Sequence, residues 1–384
     1  MKMNKLFLYI AFALSVGLIA CEDNDNENGN NLSTGGSVPT WTKDFFPGSE
    51  WSTASPAKYG YSEDLGEKID TMVVQNGDVT GLCLVIGGEM VHQYGDVTEL
   101  SYLASSRKSI LSMLYGIYVE RGIIDLERTV GELITAGVIK EDVGGLLDIE
   151  KQATIRNCIS ARSGCFHPAS NSGDNLAIAP PRGSQQPGTY HLYSNWDFNV
   201  SGAIFEGLTG KSIYDAFQEE FETKLGLQDF KRSAQKYGGD TSVSVYKAYH
   251  FYLSARDMAR LGYLMLRKGN WNGTQLISEE WVEESTSAIT PVSEMNPVTD
   301  RTGSHGYGYM WWVWDGPANR DVYKDAYMAI GAGGQYIVVL PALDMVMTIK
   351  RDVDKLATDS FSKGLVIHLI NMIAGEQTIT NYLN

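Results

Sequence analysis

The first apolar run of the chain, residues 6–18, stands apart from the rest. It follows Lys2 and Lys5 and closes in Leu18-Ile19-Ala20-Cys21. The run is shorter than the ~20 apolar residues of a membrane span. Its positive start and small closing residues predict a signal peptide over residues 1–20. Residues 21–40 follow Cys21 with Glu-Asp-Asn-Asp-Asn-Glu-Asn-Gly and continue in Ser, Thr and Gly. Nothing there can pack a core, so a flexible acidic tether is predicted.

From residue 41 to 384 the pattern is that of one folded unit, with no internal repeat and no second linker. Residues 62–75 read as an opening helix with Ser62 as N-cap. Residues 81–86 and 89–94 read as two strands joined at Gly87-Gly88. Residues 105–121 return to helical spacing, with Ile110, Leu111, Leu114, Ile117 and Tyr118 on one face. Helices and long loops fill the middle, where Ser254-Ala-Arg-Asp257 predicts a capping box opening a helix to Leu266. The last third returns to strands at 306–314, 336–340 and 345–349, then to an amphipathic helix from about 355 to 373. Strands from both ends with helices between them predict an α+β fold. Its antiparallel sheet is formed by both termini and flanked by helices, with a mostly helical lobe inserted and a cleft between lobe and sheet.

Composition adjusts this picture in two places. The formal net charge is -15, and no dense run of Lys or Arg appears, so nucleic acid is excluded as an expected partner. Of four cysteines, Cys21 sits at the end of the leader, leaving Cys83, Cys158 and Cys165. An odd number leaves at least one unpaired within a monomer. Cys158 and Cys165 could bridge, and Cys83 lies in an apolar strand and reads as core. There is no CxxC and no zinc-type spacing, so no metal or cofactor is expected.

The candidate chemistry centres on Ser105-Ser106-Arg107-Lys108. Residues i and i+3 share a helix face, so Lys108 can set its amine beside the Ser105 hydroxyl. A serine needs such a base to act as a nucleophile, and a helix start favours developing negative charge. Ser-x-x-Lys occurs five times, from Ser55, Ser105, Ser233, Ser244 and Ser360. Only Ser105 follows paired strands and opens a long apolar helix. A second element is Tyr193-Ser194-Asn195. Beside Lys108 the Tyr193 phenolate would be favoured and could take the serine proton. Asn195 could hold Lys108 or a substrate carbonyl. His167 lies in a loop that could border the cleft, as a substrate contact or as a loop hydrogen-bonding residue. His191 and His250 read as structural, and His305 as a candidate at the cleft mouth. Trp311, Trp312 and Trp314 read first as core, second as an aromatic subsite.

Ser105-x-x-Lys108 followed by Tyr193-x-Asn195 resembles the superfamily of serine β-lactamases, penicillin-binding proteins and related esterases. Further stretches match in order: Ala161-Arg-Ser-Gly164, Ala255-Arg-Asp-Met-Ala-Arg-Leu-Gly262 with Gly269-Asn-Trp-Asn-Gly273, and Gly306-Tyr-Gly-Tyr-Met-Trp-Trp312. The resemblance spans about residues 61–373. It implies Ser105, Lys108 and Tyr193 as catalytic residues, an acyl-enzyme, no cofactor, and a small or peptide-like ester or amide substrate. The third motif departs. Where lactamases and carboxypeptidases carry Lys-Thr-Gly or His-Thr-Gly on an edge strand, this chain reads Ala329-Ile-Gly-Ala-Gly-Gly-Gln335. The missing cation puts β-lactam and D-Ala-D-Ala chemistry in doubt. Its glycines still allow close backbone approach, which makes Gly331, Ala332, Gly333 and Gln335 candidate substrate contacts, with the Ala332 N–H as an oxyanion donor beside that of Ser105. This form resembles the branch of esterases and nylon-oligomer amide hydrolases. A carboxypeptidase or β-lactamase, and a silent envelope binding protein on the same fold, stay open as alternatives. The leader resembles a bacterial lipobox with Cys21 as the acylated residue, implying a lipid-anchored protein of the cell envelope. The acidic residues after Cys21 resemble a surface-export signal, or serve as a plain spacer.

Overall fold

The computed structural model describes residues 45–76, 78–171, 173–316, 321–352 and 363–383. The predicted leader, the predicted lipid-acceptor Cys21, the predicted tether, Ser360 and the predicted start of the last helix at 355 lie outside the described residues.

Seven antiparallel strands form one sheet in the order β2-β1-β13-β12-β11-β10-β9. They are β1 (Val79–Ile86), β2 (Glu89–Gly95), β9 (His305–Tyr307), β10 (Trp312–Trp314), β11 (Tyr327–Gly331), β12 (Gln335–Leu340) and β13 (Met345–Arg351). Strands from both ends of the folded unit thus meet at β1 and β13, as the hydrophobic pattern predicts. Three two-stranded ribbons accompany the sheet: β3 (Ser101–Tyr102) with β6 (Tyr252–Leu253), β4 (Lys236–Gly238) with β5 (Ala248–His250), and β7 (Asn270–Trp271) with β8 (Thr274–Gln275).

The strand period of two divides β1 between two cores. Leu82, Leu84 and Ile86 face a cluster that includes Ile69 and Val73 of α1 (Leu65–Asn76) and Leu365 to Ile373 of α10 (Lys363–Leu383). Cys83 and Val85 face the larger cluster, shared with α2 (Arg107–Glu120) and the lobe. The lobe carries α3 (Val130–Thr135), α4 (Ile155–Ile159), α5 (Asn195–Thr209), α6 (Ile213–Phe217) and α7 (Thr223–Leu225). Two more helices, α8 (Ala255–Leu266) and α9 (Glu279–Ser285), follow it.

Several expectations need correction. α1 starts at Leu65, three residues after the predicted N-cap Ser62, whose backbone carbonyl accepts the Leu65 N–H at 3.1 Å. α2 is buried all round from Arg107 to Tyr118, because sheet, α5 and α9 enclose it, so its apolar residues do not form a single face. Residues 306–314 are two strands of a hairpin, reversed at 308–311 where Met310 has φ 61°. Ser254 caps α8 through the Asp257 N–H, but the Asp257 carboxylate accepts from Gln228 and Asp229 N–H groups instead of closing the box. Cys83, Cys158 and Cys165 are all free thiols and buried.

Candidate active site

Ser105 sits in a 3-10 turn, Ala104–Ser106, that runs directly into α2. The turn is anchored on both sides. The Leu103 N–H donates to Phe251 O, next to the β3–β6 ribbon, and the Ser106 hydroxyl donates to Gln335 O at 2.7 Å. Between these anchors Ala104 adopts φ 48°, a left-handed conformation that costs energy in a non-glycine residue. α2 is itself fixed by Ser109 Oγ on Met310 O at 2.6 Å and by Trp281 Nε1 on Ser112 O at 3.0 Å. The half-exposed Ser105 hydroxyl therefore rests on a helix that cannot shift without breaking buried hydrogen bonds.

Lys108 extends from the next turn of the same helix. Its Nζ lies 3.1 Å from Ser105 Oγ, 2.6 Å from the Tyr193 hydroxyl and 2.7 Å from Asn195 Oδ1. The amine also sits over the rings of Tyr193 and Phe198, at 4.2 and 4.4 Å. Three side chains separated by up to 90 positions thus converge on one amine. Tyr193 and Asn195 are presented by the start of α5, where Ser194 is the N-cap. Asp174 receives the Asn195 N–H at 3.0 Å and holds that start in place. Asn195 takes the first of its two expected roles, gripping Lys108.

Electrostatics overturn one expectation. Burial holds the Lys108 amine well below the usual lysine range, and the Arg107 guanidinium beside it acts in the same direction. Burial also pushes the Tyr193 phenol up to about 12, although the Ser105 hydrogen bond and Arg107 act the other way. The phenolate anticipated from the sequence is therefore disfavoured. Burial thus works against both charged forms, the ammonium of Lys108 and the phenolate of Tyr193.

The region of the third motif departs from expectation at β11 and at Gln335, and keeps the expected close approach at Gly331. β11 is not an edge strand, because β10 and β9 lie beyond it. Gly331 is required by close approach: a Cβ there would stand 2.2 Å from Leu103 O and 3.1 Å from Ser106 Oγ. The turn Ala332–Gly334 then exposes Ala332, with Gly333 and Gly334 at φ 78° and 94°. Gln335 is corrected from a substrate contact to an internal tie, since it is fully buried and its Nε2 donates to Arg351 O at 2.9 Å. His167 is corrected likewise. It is 3 % exposed, with ring nitrogens 2.9 Å from Pro168 O and 2.7 Å from Val143 O.

His191 is buried against Tyr307, where burial and then Arg162 push its imidazole down to about 3. His250 stacks on Tyr102 at 4.9 Å and is pushed down to about 4, first by burial and then by Arg107. His305 is buried and packs on Trp314 at 4.7 Å. Of the three tryptophans, Trp311 and Trp314 are core, while half-buried Trp312 stacks on Tyr193 at 5.6 Å. In the Ala161–Gly164 stretch, the Ser163 hydroxyl donates to Asp197 of α5 at 2.5 Å and Ala161 O receives the Leu192 N–H. That stretch braces the Tyr193 segment. Arg107, Asn199 and Asp174 are site residues that motif reading missed. Asn195 and Asn199 are four apart on α5, and that spacing was a usable signal.

This geometry agrees with the comparisons to known proteins. The Beta-lactamase family model matches residues 72–357. A protein assigned as a 6-aminohexanoate-dimer hydrolase from Bacillus anthracis superposes with a TM-score of 0.60 at 18% identity, covering 87% of this chain and 88% of that one. A penicillin-binding protein homologue from Pyrococcus abyssi, described as octameric, gives 0.58 at 16% identity over 82% and 77%. EstCE1, described as a hydrolase with promiscuous acyltransferase activity, gives 0.58 at 14% over 81% and 98%. An uncharacterized protein of Alkalihalophilus pseudofirmus is 27% identical over 104 residues, which span 25% of this chain and only 29% of that relative's length. With its family match running through most of the sequence and its sheet and lobe arranged as in these structures, the chain belongs to the Beta-lactamase family.

Proposed function

We propose that the chain hydrolyses an ester or amide through an acyl-enzyme on Ser105, with Lys108 as general base and Tyr193 as proton relay. The observation that carries this reading is the meeting of Lys108 Nζ with Ser105 Oγ, the Tyr193 hydroxyl and Asn195 Oδ1 within 3.1 Å. An amide oxygen can only accept, so Asn195 takes one amine N–H and helps turn the lone pair of neutral Lys108 toward the serine proton. The serine oxygen attacks the carbonyl carbon, and its proton passes to Lys108. Collapse of the tetrahedral adduct releases the leaving group, which receives the Tyr193 proton as Tyr193 regains one from Lys108. Water then repeats the sequence on the acyl-enzyme. The N–H groups of Ser105 and Ala332 would hold the oxyanion. The close approach of Gly331 to the 103–106 segment supports that pairing.

The same turn argues against a β-lactam or D-Ala-D-Ala substrate. Where those substrates meet a cation, this chain offers Gly331-Ala332-Gly333. An ester or a neutral amide needs no such partner. We further propose that the chain is tethered to a bacterial envelope membrane through acylated Cys21, an assignment that metabolic labelling with an alkyne fatty acid tests in wild type and Cys21→Ser.

Intact-protein mass spectrometry after exposure to esters, amides and β-lactams tests the activity. An acyl adduct on wild type and none on Ser105→Ala is expected. A β-lactam adduct that outlasts or outpaces the ester adducts would overturn the substrate assignment.

A further inference from the structure

Two successive residues of α2 bring buried basic side chains to the site. Arg107 is 2 % exposed and Lys108 1 %. Among the described residues, neither forms an ion pair with a carboxylate. Each instead meets an asparagine of α5, one turn apart. Lys108 Nζ donates to Asn195 Oδ1 at 2.7 Å and Arg107 Nη2 to Asn199 Oδ1 at 3.2 Å. Asn199 is fixed in turn by its Nδ2 donating to Asn171 Oδ1 at 2.8 Å. The Arg107 guanidinium lies 4.3 Å over the Tyr249 ring, and its Nη1 is buried with no hydrogen-bond partner. An unneutralised buried cation is costly, and the fold had a cheap remedy, since aspartate has nearly the shape of asparagine.

We propose that Arg107 is a positioning residue for this chemistry: held by the neutral amide of Asn199, its uncompensated cation keeps the adjoining Lys108 amine free of its proton and so available to Ser105. This rests on the reading of Lys108 as the base. The groups facing the pair support it. Around Arg107 stand Tyr102 of β3, Tyr249 and His250 of β5 and Tyr214 of α6, all neutral when unperturbed near pH 7 or pushed toward neutrality by burial. Around Lys108 stand Tyr193, Ser105, Asn195 and Phe198, and the one carboxylate acting on it is Asp174. That carboxylate already accepts the N–H groups of Asn195 and Leu176, at 3.0 and 3.2 Å.

The test uses full-length protein and reads the pH dependence of Ser105 labelling by a fluorophosphonate in wild type, Arg107→Gln, Asn199→Asp and Arg107→Lys. Removing the cation, or neutralising it with a carboxylate at position 199, moves the acidic limb of the labelling rate up by about one pH unit. The rate below the limb then drops about tenfold. Arg107→Lys restores the wild-type limb. A structural role alone would lower the rate at every pH and leave the limb in place, and that result overturns the proposal. The Lys108 ε-carbon, followed by NMR in 13C-lysine protein, gives the same titration without any reaction. If wild type is never labelled, the hydrolase mechanism fails, while a Lys108 titration unmoved by Arg107→Gln and Asn199→Asp separately defeats the role of Arg107.

Discussion

Two lysines are buried in the described fold, Lys108 and Lys350, and they do opposite work. Lys350 reaches from β13 to donate to Ser101 O at 2.7 Å and Leu253 O at 2.9 Å. It thereby ties the central sheet to the β3–β6 ribbon that leads into Ser105. Lys108 reaches instead toward a hydroxyl, a phenol and an amide oxygen. Burial depresses both amines, Lys350 to about 7. Desolvation is therefore common to both and cannot by itself define a base. The distinction lies in the partners. Two carbonyls can only accept, so the amine of Lys350 is spent as a donor whatever its charge. A serine hydroxyl has a proton to give, so the amine of Lys108 has something to accept.

The contrast can be broken most sharply by substituting each lysine with methionine. Lys108→Met is expected to lose on the order of 10³-fold in ester turnover. Its unfolding free energy should be unchanged or higher, because a buried amine is replaced by an apolar chain. Steady-state kinetics and urea unfolding on the same preparation check both halves. Tyr193→Phe, which removes the relay but leaves the amine, should lose roughly 10²-fold with the acidic limb retained. A pH–rate profile reads that difference.

Lys350→Met should behave in the reverse sense. Two buried carbonyls lose their donor, which costs about 1–3 kcal/mol, with a smaller loss of turnover through a loosened Ser105 segment. The pH dependence sharpens this. A lysine depressed in the folded state binds fewer protons there than when unfolded, so the wild type gains stability as pH rises from about 7 toward the usual lysine range. The destabilisation by Lys350→Met should therefore be larger at pH 9 than at pH 6, as urea midpoints at the two pH values will show. The smallest effect is expected for Ser163→Ala, about 1 kcal/mol, from the lost bond to Asp197. Thermal melting checks it.

The same contrast explains what the sequence disclosed. Ser105 and Lys108 were legible because a helix brings i and i+3 together and the surrounding strands and helix start set them apart from four other Ser-x-x-Lys matches. Tyr193 and Asn195 were legible only as part of an ordered set, since nothing local ties them to Lys108. Lys350 was silent, as a single lysine in an apolar strand carries no spacing. The β9–β10 hairpin was hidden inside an aromatic stretch, where turn chemistry gave way to Met310 at positive φ. α2 misled because a helix enclosed on all sides has no single apolar face. The protonation of Tyr193 could not be read at all, for it depends on burial that only the packed lobe creates.

The central claim is that the amine, and not the phenol, takes the serine proton. It is tested most directly by comparing Ser105 labelling by a fluorophosphonate across pH in Lys108→Met and Tyr193→Phe. The account predicts that Lys108→Met is the slower protein at every pH and has lost the acidic limb, while Tyr193→Phe keeps it. A Lys108→Met protein that labels faster than Tyr193→Phe, with the limb intact, would contradict it.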